Sequence, residues 1–221
     1  ELPSADKILL LSKLFNVTTD ELLIDNISLP KECLNTPEYF PENTALAENK
    51  FFGTDGFRGE ANRDITAEQA FKLGKFIGWY YGNPLSGCRK SGYRPRIVIG
   101  KDARRSSYML EYAIASGLTC SGADAYMLHV TTTPSVSYVT KSEGFDCGIM
   151  ISASHNPYYD NGIKLVNRYG EKMDRRTTSF AEAYLLGNMS SLGLEEDDLP
   201  RAVRENIGSI IDHSAGRNRY I

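Results

Sequence analysis

A cluster of polar side chains directly follows an apolar run in the sequence "GIMISASHNPYYDNGIK". Ser154, His155 and Asn156 form this cluster, and Lys164 comes ten residues after the serine. If the apolar run is a strand, the cluster lies outside its carboxyl end, where open α/β sheets bind ligands. Backbone N–H groups in such a loop form an anion site, to which Ser154 would add a hydroxyl and Lys164 a mobile cation. Arg58 could add a bidentate phosphate contact, so the chemistry indicated is phosphate binding.

Two other interpretations fit the same stretch. Ser, His, Asn and Pro in succession also form ordinary turns, and Asn161-Gly162 is typical of a hairpin turn. A serine hydrolase is disfavoured, because His155 is adjacent to Ser154 and no Gly-x-Ser-x-Gly elbow surrounds the serine. On physical grounds alone, an ordinary turn and a phosphate site remain equally open.

Alternating strands and helices must position these residues. The sequence predicts a glycine-punctuated loop over 51–59, followed by a helix that begins with a Thr66–Gln69 capping box. Strands "RIVIG", "GADAYML", "DCGIMIS" and "GIKLV" then alternate with a helix capped near Ser106 or Ser107 and a helix capped by Thr133. This order predicts an α/β fold: a three-layer α/β/α domain with a mixed, mostly parallel sheet, preceded by a short helical N-terminal arm. A final helical piece is predicted over 201–211.

Basic residues also follow the first of these strands, in "GKDARRSS". We interpret Lys101, Arg104 and Arg105 as a solvated basic turn, which we favour over a phosphate clamp. The glycines of 51–59 do not form the Gly-x-Gly-x-x-Gly fingerprint, so a dinucleotide is not indicated.

Four sequence blocks resemble the α-D-phosphohexomutase family. They are "FFGTDGFRG", "GKDARRSS", "TTTPSVSYV" and "GIMISASHNPYYDNGIK", which occur in the order and approximate spacing of that family. The Thr-Asp-Gly and Ser-Ala-Ser-His-Asn-Pro variants are most similar to its phosphoglucosamine mutase branch. The resemblance implies an isomerase of sugar phosphates that works by intramolecular phosphotransfer.

The resemblance also implies roles for five residues. Ser154 matches the serine that carries a transferable phosphoryl group, which passes to a sugar monophosphate and gives a bound bisphosphate. Arg58 matches an active-site arginine, and Lys164 matches a lysine implicated in proton transfer or phosphate stabilisation. His155 and Asn156 match positions that shape the loop and contact ligand, although simple loop hydrogen bonding explains Asn156 equally well.

A magnesium ion is the cofactor that the resemblance implies. The phosphoserine at Ser154 would supply one ligand, and an Asp-Gly-Asp-x-Asp-Arg loop of a second domain would supply the others. That loop does not occur in this sequence. We therefore expect the chain to be a fragment of a longer mutase, or a divergent protein, and to turn over poorly by itself.

The sequence predicts four segments. They are a helical arm (1–26), a linker (27–49), phosphohexomutase domain I (50–190), and a linker with the truncated start of domain II (191–221). The arm, "ELPSADKILLLSKLFNVTTDELL", weakly resembles the last two helices of Cro/repressor-type helix-turn-helix domains. Its alternative is a helical extension packed on the domain.

Composition restricts the class of protein. A content of 41% hydrophobic and 24% charged residues is that of an ordinary globular protein, and the net charge of −3 argues against nucleic acid as a partner. No apolar run reaches the roughly 20 residues that span a membrane, and no signal peptide is apparent, so a cytoplasmic location is predicted. The predicted partner is a sugar phosphate, with glucosamine phosphate favoured. A phosphoglucomutase or phosphomannomutase, and a non-catalytic sugar-phosphate-binding regulator fused to a DNA-binding domain, are the alternatives.

Overall fold

The computed structural model of the protein describes residues 51–53, 56–82, 93–188 and 199–220. The predicted arm and the predicted linker, residues 1–49, lie outside the described residues. Within the described part, no helix is both long and apolar enough to cross a membrane.

Seven strands form one mixed sheet. They are β1 (Phe52–Gly53), β2 (Gly56–Glu60), β3 (Arg96–Lys101), β4 (Asp124–Val130), β5 (Cys147–Ile151), β6 (Asp160–Asn167) and β7 (Ile210–Asp212). Their order across the sheet is β1-β2-β6-β5-β3-β4-β7. The strands β5, β3, β4 and β7 are mutually parallel, whereas β1, β2 and β6 pair antiparallel. The predicted α/β fold with a mixed sheet is confirmed, with parallel and antiparallel pairs in equal number.

Among the residues that the structure describes, four α-helices cover the two faces of the sheet. They are α1 (Ala67–Gly82), α2 (Arg105–Cys120), α3 (Thr133–Ser142) and α4 (Arg175–Leu185). The larger core contains buried apolar residues of α1, α2 and α4, whereas a smaller core on the other face contains Val136 and Val139 of α3. The three layers predicted from the sequence are therefore present.

Local signals explain where the helices begin. Before α1, the Thr66 N–H donates to the Gln69 side chain at 2.9 Å and the Gln69 N–H donates to the Thr66 hydroxyl at 3.3 Å, which confirms the capping box. The N-cap of α3 is Thr132, one residue before the predicted Thr133. The helix α2 begins at Arg105, before the predicted serine caps. The helix α4 was not predicted, and it begins after Asp174, whose carboxylate accepts from the Thr177 N–H.

Two helices approach closely where glycines replace side chains. A Cβ at Gly117 of α2 would lie 2.1 Å from the carbonyl oxygen of Phe71 in α1, and a Cβ at Gly74 would lie 2.2 Å from that of Ile114. Any side chain at these positions would push the helices apart. The glycines therefore set the distance between α1 and α2, the helices that cover the larger core.

The region 51–59 differs from its prediction as a loop. The strands β1 and β2 form an antiparallel pair in which Phe52 lies opposite Phe57. The Phe57 ring lies 5.1 Å from the Phe51 ring and 5.8 Å from the Phe52 ring, between centroids. Aromatic packing and pairing with β6 explain why this glycine-rich segment adds strands to the sheet.

The prediction of a helix over 201–211 is wrong. This segment contains a 3₁₀ turn (Arg204–Asn206) and then β7, which pairs parallel with β4. A Cβ at Gly208 would lie 1.8 Å from the carbonyl oxygen of Ala123, so the glycine permits the close approach. Docking against the sheet outweighs the local helical pattern, and a second 3₁₀ turn (Ser214–Arg219) follows.

Candidate active site

The serine loop, residues 152–159, connects β5 to β6. Its first residue continues the sheet pairing, because the Ser152 N–H donates to the Gly162 carbonyl at 2.8 Å. Asn161 and Gly162 lie within β6, so the hairpin turn considered for this dipeptide is not formed. Ser154 is exposed and has a φ of 58°. Non-glycine residues rarely adopt this left-handed conformation, so the surrounding contacts must hold it.

A hydrogen-bond network anchors this loop to the turn after β3. The Ser154 N–H donates to the Ser152 hydroxyl at 3.0 Å. Asp102 accepts from the Ser107 hydroxyl at 2.6 Å and from the Arg104 N–H at 3.1 Å. Burial raises the pKa of Asp102, but hydrogen bonds from Ser107, the Arg104 backbone, Ser152 and the Arg104 side chain outweigh it and lower this pKa overall. Asp102 is therefore a carboxylate at neutral pH.

Arg104 connects the two segments most extensively. Its Nε donates to Asp102 at 2.9 Å, and its Nη1 donates to the carbonyls of Pro157 and, at 2.9 Å, Asp160. Its Nη2 donates to the Ser154 carbonyl at 3.0 Å and to the Asn156 carbonyl at 2.8 Å. One side chain thus contacts four backbone carbonyls of the loop and its exit.

We predicted that Lys101, Arg104 and Arg105 form a solvated basic turn. This prediction is wrong for Lys101 and Arg104. Lys101 is buried and forms an ion pair with Glu111, its Nζ lying 2.7 Å from Oε2. Arg104 is engaged with the serine loop, and only Arg105 is exposed. The partners come from α2 and from a loop some 50 residues away, which the local sequence does not reveal.

Asparagines support the far side of the loop. The buried Asn161 amide donates to the hydroxyls of Ser106 at 2.8 Å and Ser107 at 2.9 Å. The Asn156 amide donates to the Asp160 carboxylate at 3.0 Å. Asn156 thus makes loop hydrogen bonds, and a ligand contact for it stays a prediction. His155 is exposed, and no hydrogen bond or ion pair of its ring occurs within the described residues.

Strand register brings Arg58 and Lys164 to the same face of the sheet. Arg58 lies opposite Gly162, and Lys164 lies opposite Met150. Directly opposed residues in antiparallel strands share a face, as do residues two apart along one strand. A Cβ at Gly162 would lie 3.0 Å from Cγ of Arg58, so the glycine leaves room for the arginine stem. Ser152, directly after β5, lies beside Gly162 as Arg58 does, so Arg58 and Ser152 share this face. Ser154 follows Ser152 by two residues.

A cleft of about 670 Å³ lies beside Lys164. Lys172 and Arg175 add two cations to its lining, and Thr133 and Ser137 of α3 form another side. Ser154 is not among its lining residues. The cleft offers three cations and hydroxyl groups, which suits an anionic, hydroxylated ligand.

Metal ligands are sparse in this region. Within the ranges that the structure describes, no group of three or more His, Cys, Asp or Glu side chains could hold a metal ion. The Asp102 carboxylate is already occupied by four hydrogen bonds from three residues, Ser107, Ser152 and Arg104. The described residues therefore do not provide a complete magnesium site.

Asp102, Ser152 and Asn161 were not among the predicted site residues. Asp102 directly follows β3 and Ser152 directly follows β5, two neighbouring parallel strands. Polar residues at the carboxyl ends of adjacent parallel strands meet at one edge of the sheet. The positions of Asp102 and Ser152 at or near the carboxyl ends of two predicted strands could have been recognised in the sequence. No sequence pattern indicates that the Asn161 amide within β6 is buried and binds two serines.

Known proteins are similar to this chain over most of its length. The chain is 59% identical over 172 residues to a phosphoglucosamine mutase of Lachnospira eligens, covering 78% of this chain and 36% of the relative. It is 55% identical to a phosphoglucosamine mutase of Lachnoclostridium phytofermentans, covering 78% and 35%. The chain thus spans about a third of the length of the curated relatives it matches.

A solved structure and a family model extend the comparison. The fold is similar to that of a phosphoglucomutase/phosphomannomutase family protein from Burkholderia thailandensis, with a TM-score of 0.55, 22% identity, and coverage of 77% of this chain and 34% of that one. The model of phosphoglucomutase/phosphomannomutase, alpha/beta/alpha domain I, matches residues 49–188. This match contains β1 to β6, the serine loop and its anchoring network, and the chain therefore belongs to the phosphoglucomutase/phosphomannomutase family.

Proposed function

We propose that Ser154 carries a transferable phosphoryl group and that the whole protein interconverts the 6-phosphate and 1-phosphate of a hexosamine. One observation carries the proposal. An exposed serine in a left-handed conformation is held by a dedicated hydrogen-bond network, and Arg58 lies on the sheet face that continues towards it. The names of the most similar relatives support glucosamine phosphate as the substrate.

The chemical step requires a nucleophile, a leaving group and a route for one proton. A sugar hydroxyl oxygen forms a bond to phosphorus while the bond between phosphorus and Ser154 Oγ breaks. The Lys164 ammonium donates a proton to the departing serine oxygen, and the resulting amine accepts the proton of the sugar hydroxyl. The resulting bisphosphate reorients, and the reverse step returns its other phosphoryl group to Ser154. Phosphoryl transfer depends mainly on positioning and charge stabilisation, which explains how so few side chains suffice.

Cations must balance the charge of the phosphorylated serine. A phosphoserine carries about −1.5 to −2 charges at neutral pH. We assign Arg58 to this charge, because its face of the sheet continues towards the serine loop. Lys164 lines the cleft, so the same residue would meet the sugar phosphate and relay the proton. We assign His155 to ligand contact, since its ring is exposed beside Ser154.

Magnesium belongs to the proposal only in part. A phosphoryl oxygen on Ser154 would supply one ligand, and the remaining ligands would lie outside the described residues. When bound, the ion would neutralise charge on the transferring group. The domain boundaries at residues 26, 49 and 190, and the cytoplasmic location, also remain predictions.

Mass spectrometry of the purified protein tests the proposal. We expect a phosphoryl group on the peptide that contains Ser154, and no modification of that peptide in Ser154→Ala. The protein expressed from its complete gene should convert glucosamine 6-phosphate faster than glucose or mannose 6-phosphate, and Ser154→Ala should abolish the reaction. Faster conversion of glucose or mannose 6-phosphate would show that this sugar phosphate, and not glucosamine phosphate, is the substrate. Turnover that survives in Ser154→Ala would refute the mechanism.

A further inference from the structure

Arg104 has no donor left for a ligand. A guanidinium group has five N–H donors, one on Nε and two on each terminal nitrogen. Nε donates to Asp102, Nη1 to the carbonyls of Pro157 and Asp160, and Nη2 to those of Ser154 and Asn156. Five donors therefore meet five acceptors, all of them within the protein.

The charge of Arg104 is also balanced internally. Its Nε lies 2.9 Å from the Asp102 carboxylate, and its side chain is only 13% exposed. Asp102 is in turn held by Ser107, which accepts from Asn161 of β6. A strand, a helix and the serine loop are thus linked through one ion pair.

These contacts fix both peptide groups that flank Ser154. The Ser154 carbonyl accepts from Arg104, and the Ser154 N–H donates to Ser152. A non-glycine residue stays in the left-handed region only where its surroundings over-determine it. With the backbone held on both sides, the Ser154 side chain remains exposed.

We propose that Arg104 is a positioning residue that fixes the backbone of the serine loop and makes no contact with phosphate. The proposal rests on the proposed function, because it concerns the presentation of the Ser154 hydroxyl for phosphoryl transfer. Lysine cannot replace Arg104, since an ammonium group has three donors and lacks the planar fork that reaches four carbonyls and a carboxylate. A residue that only supplied positive charge to phosphate would tolerate lysine better.

Hydrogen exchange compares Arg104→Lys with a matched control in the protein expressed from its complete gene. Arg105→Lys makes the same change one residue away, at an exposed position without a hydrogen bond or ion pair among the described residues. We expect the loop amides of Ser154 and Asn156 to exchange at least about tenfold faster in Arg104→Lys alone, while amides of β3 stay protected. Equal loop exchange in the two variants would overturn the proposal.

Kinetics separate positioning from general stability. We expect kcat to fall by about 100-fold in Arg104→Lys with the KM for the sugar phosphate little changed, and Arg105→Lys to match the wild type. Wild-type kcat in Arg104→Lys would overturn the proposal. If the wild type has neither phosphoserine nor turnover, the proposed function fails, whereas the exchange comparison still decides the role of Arg104.

A further measurement needs no substitution, in case Arg104→Lys does not fold. A guanidinium group with every N–H engaged cannot rotate freely, so its terminal N–H protons should give separate NMR signals in the wild type. We expect such resolved signals for Arg104, with the same positions before and after addition of inorganic phosphate. A single averaged signal, or a shift with phosphate, would contradict the assignment.

Discussion

The buried ion pair between Lys101 and Glu111 offers the sharpest test of how the site is supported. Lys101 is the last residue of β3 and directly precedes Asp102, and Glu111 lies on α2. The exposed fractions of the two residues are 1% and 0%. The 2.7 Å contact has the geometry of an ion pair rather than of a directed hydrogen bond. The Lys101 ammonium also lies 4.0 Å from the ring centroid of Tyr108.

Glu111→Gln keeps the shape of the side chain and removes its charge. The lysine then remains buried without a compensating anion, and removal of one partner of a buried pair lowers the free energy of unfolding by about 3–5 kcal/mol. Lys101→Met leaves the carboxylate with only the His129 ring beside it, whose Nδ1 lies 4.0 Å from Oε1, and should also lower the free energy of unfolding. For a domain of this size, the melting temperature should fall by about 6–20 °C. The double variant Lys101→Met/Glu111→Leu buries no charge, so we expect it to be more stable than either single variant.

Urea titrations followed by circular dichroism measure these free energies. We expect both single variants to unfold at lower urea with an unchanged m-value, which indicates a loss of stability rather than a change of the unfolded state. The free energy of unfolding of the double variant should be well above the value obtained by adding the losses of the two single variants. Single variants within about 1 kcal/mol of the wild type, or a double variant equal to the sum, would refute the reasoning.

Three further predictions concern the helices and the anchoring network. Gly117→Ala should lower the free energy of unfolding by about 1–3 kcal/mol in a urea titration, because its Cβ would lie 2.1 Å from the Phe71 carbonyl, and wild-type stability would contradict this packing. Thr66→Ala should lower the free energy of unfolding by about 1 kcal/mol. Adding Gln69→Ala to Thr66→Ala should cause a smaller further loss, since the two side chains cap the same helix end. The lowered pKa of Asp102 means that its carboxylate stabilises the folded state above the unfolded pKa of about 3.9, and that this stability is lost as pH falls through the folded pKa. The urea midpoints of wild type and Asp102→Asn should therefore differ at pH 7, and the difference should shrink as the pH falls below the unfolded pKa; a constant difference would contradict this linkage.

The parts of the fold that the sequence predicted well depend on local signals. The capping box of α1 and the apolar run of β3 need only neighbouring residues to be recognised. The serine loop was predicted at the carboxyl end of β5, because an apolar run changes abruptly to Ser, His and Asn there. Sequence reasoning therefore located the loop and its serine.

Interactions between distant segments were not predictable in the same way. The strand β7 forms because β4 offers an open edge, and the Ser209 N–H and Arg94 bind the Asp124 carboxylate beside it. Nothing in 201–211 alone distinguishes that strand from a helix. Arg104 was interpreted as solvated for the same reason, since its acceptors lie about 50 residues further along the chain.

The left-handed backbone at Ser154 has an evolutionary consequence. Threonine has the same hydroxyl group and is one nucleotide change away from several serine codons, so chemistry alone would treat the two as equivalent. A β-branched residue at a φ of 58° is a steric outlier, however, and threonine would tend to pull the loop out of shape. At this position the shape of the main chain, and not only the reactivity of the side chain, restricts which amino acid natural selection can retain.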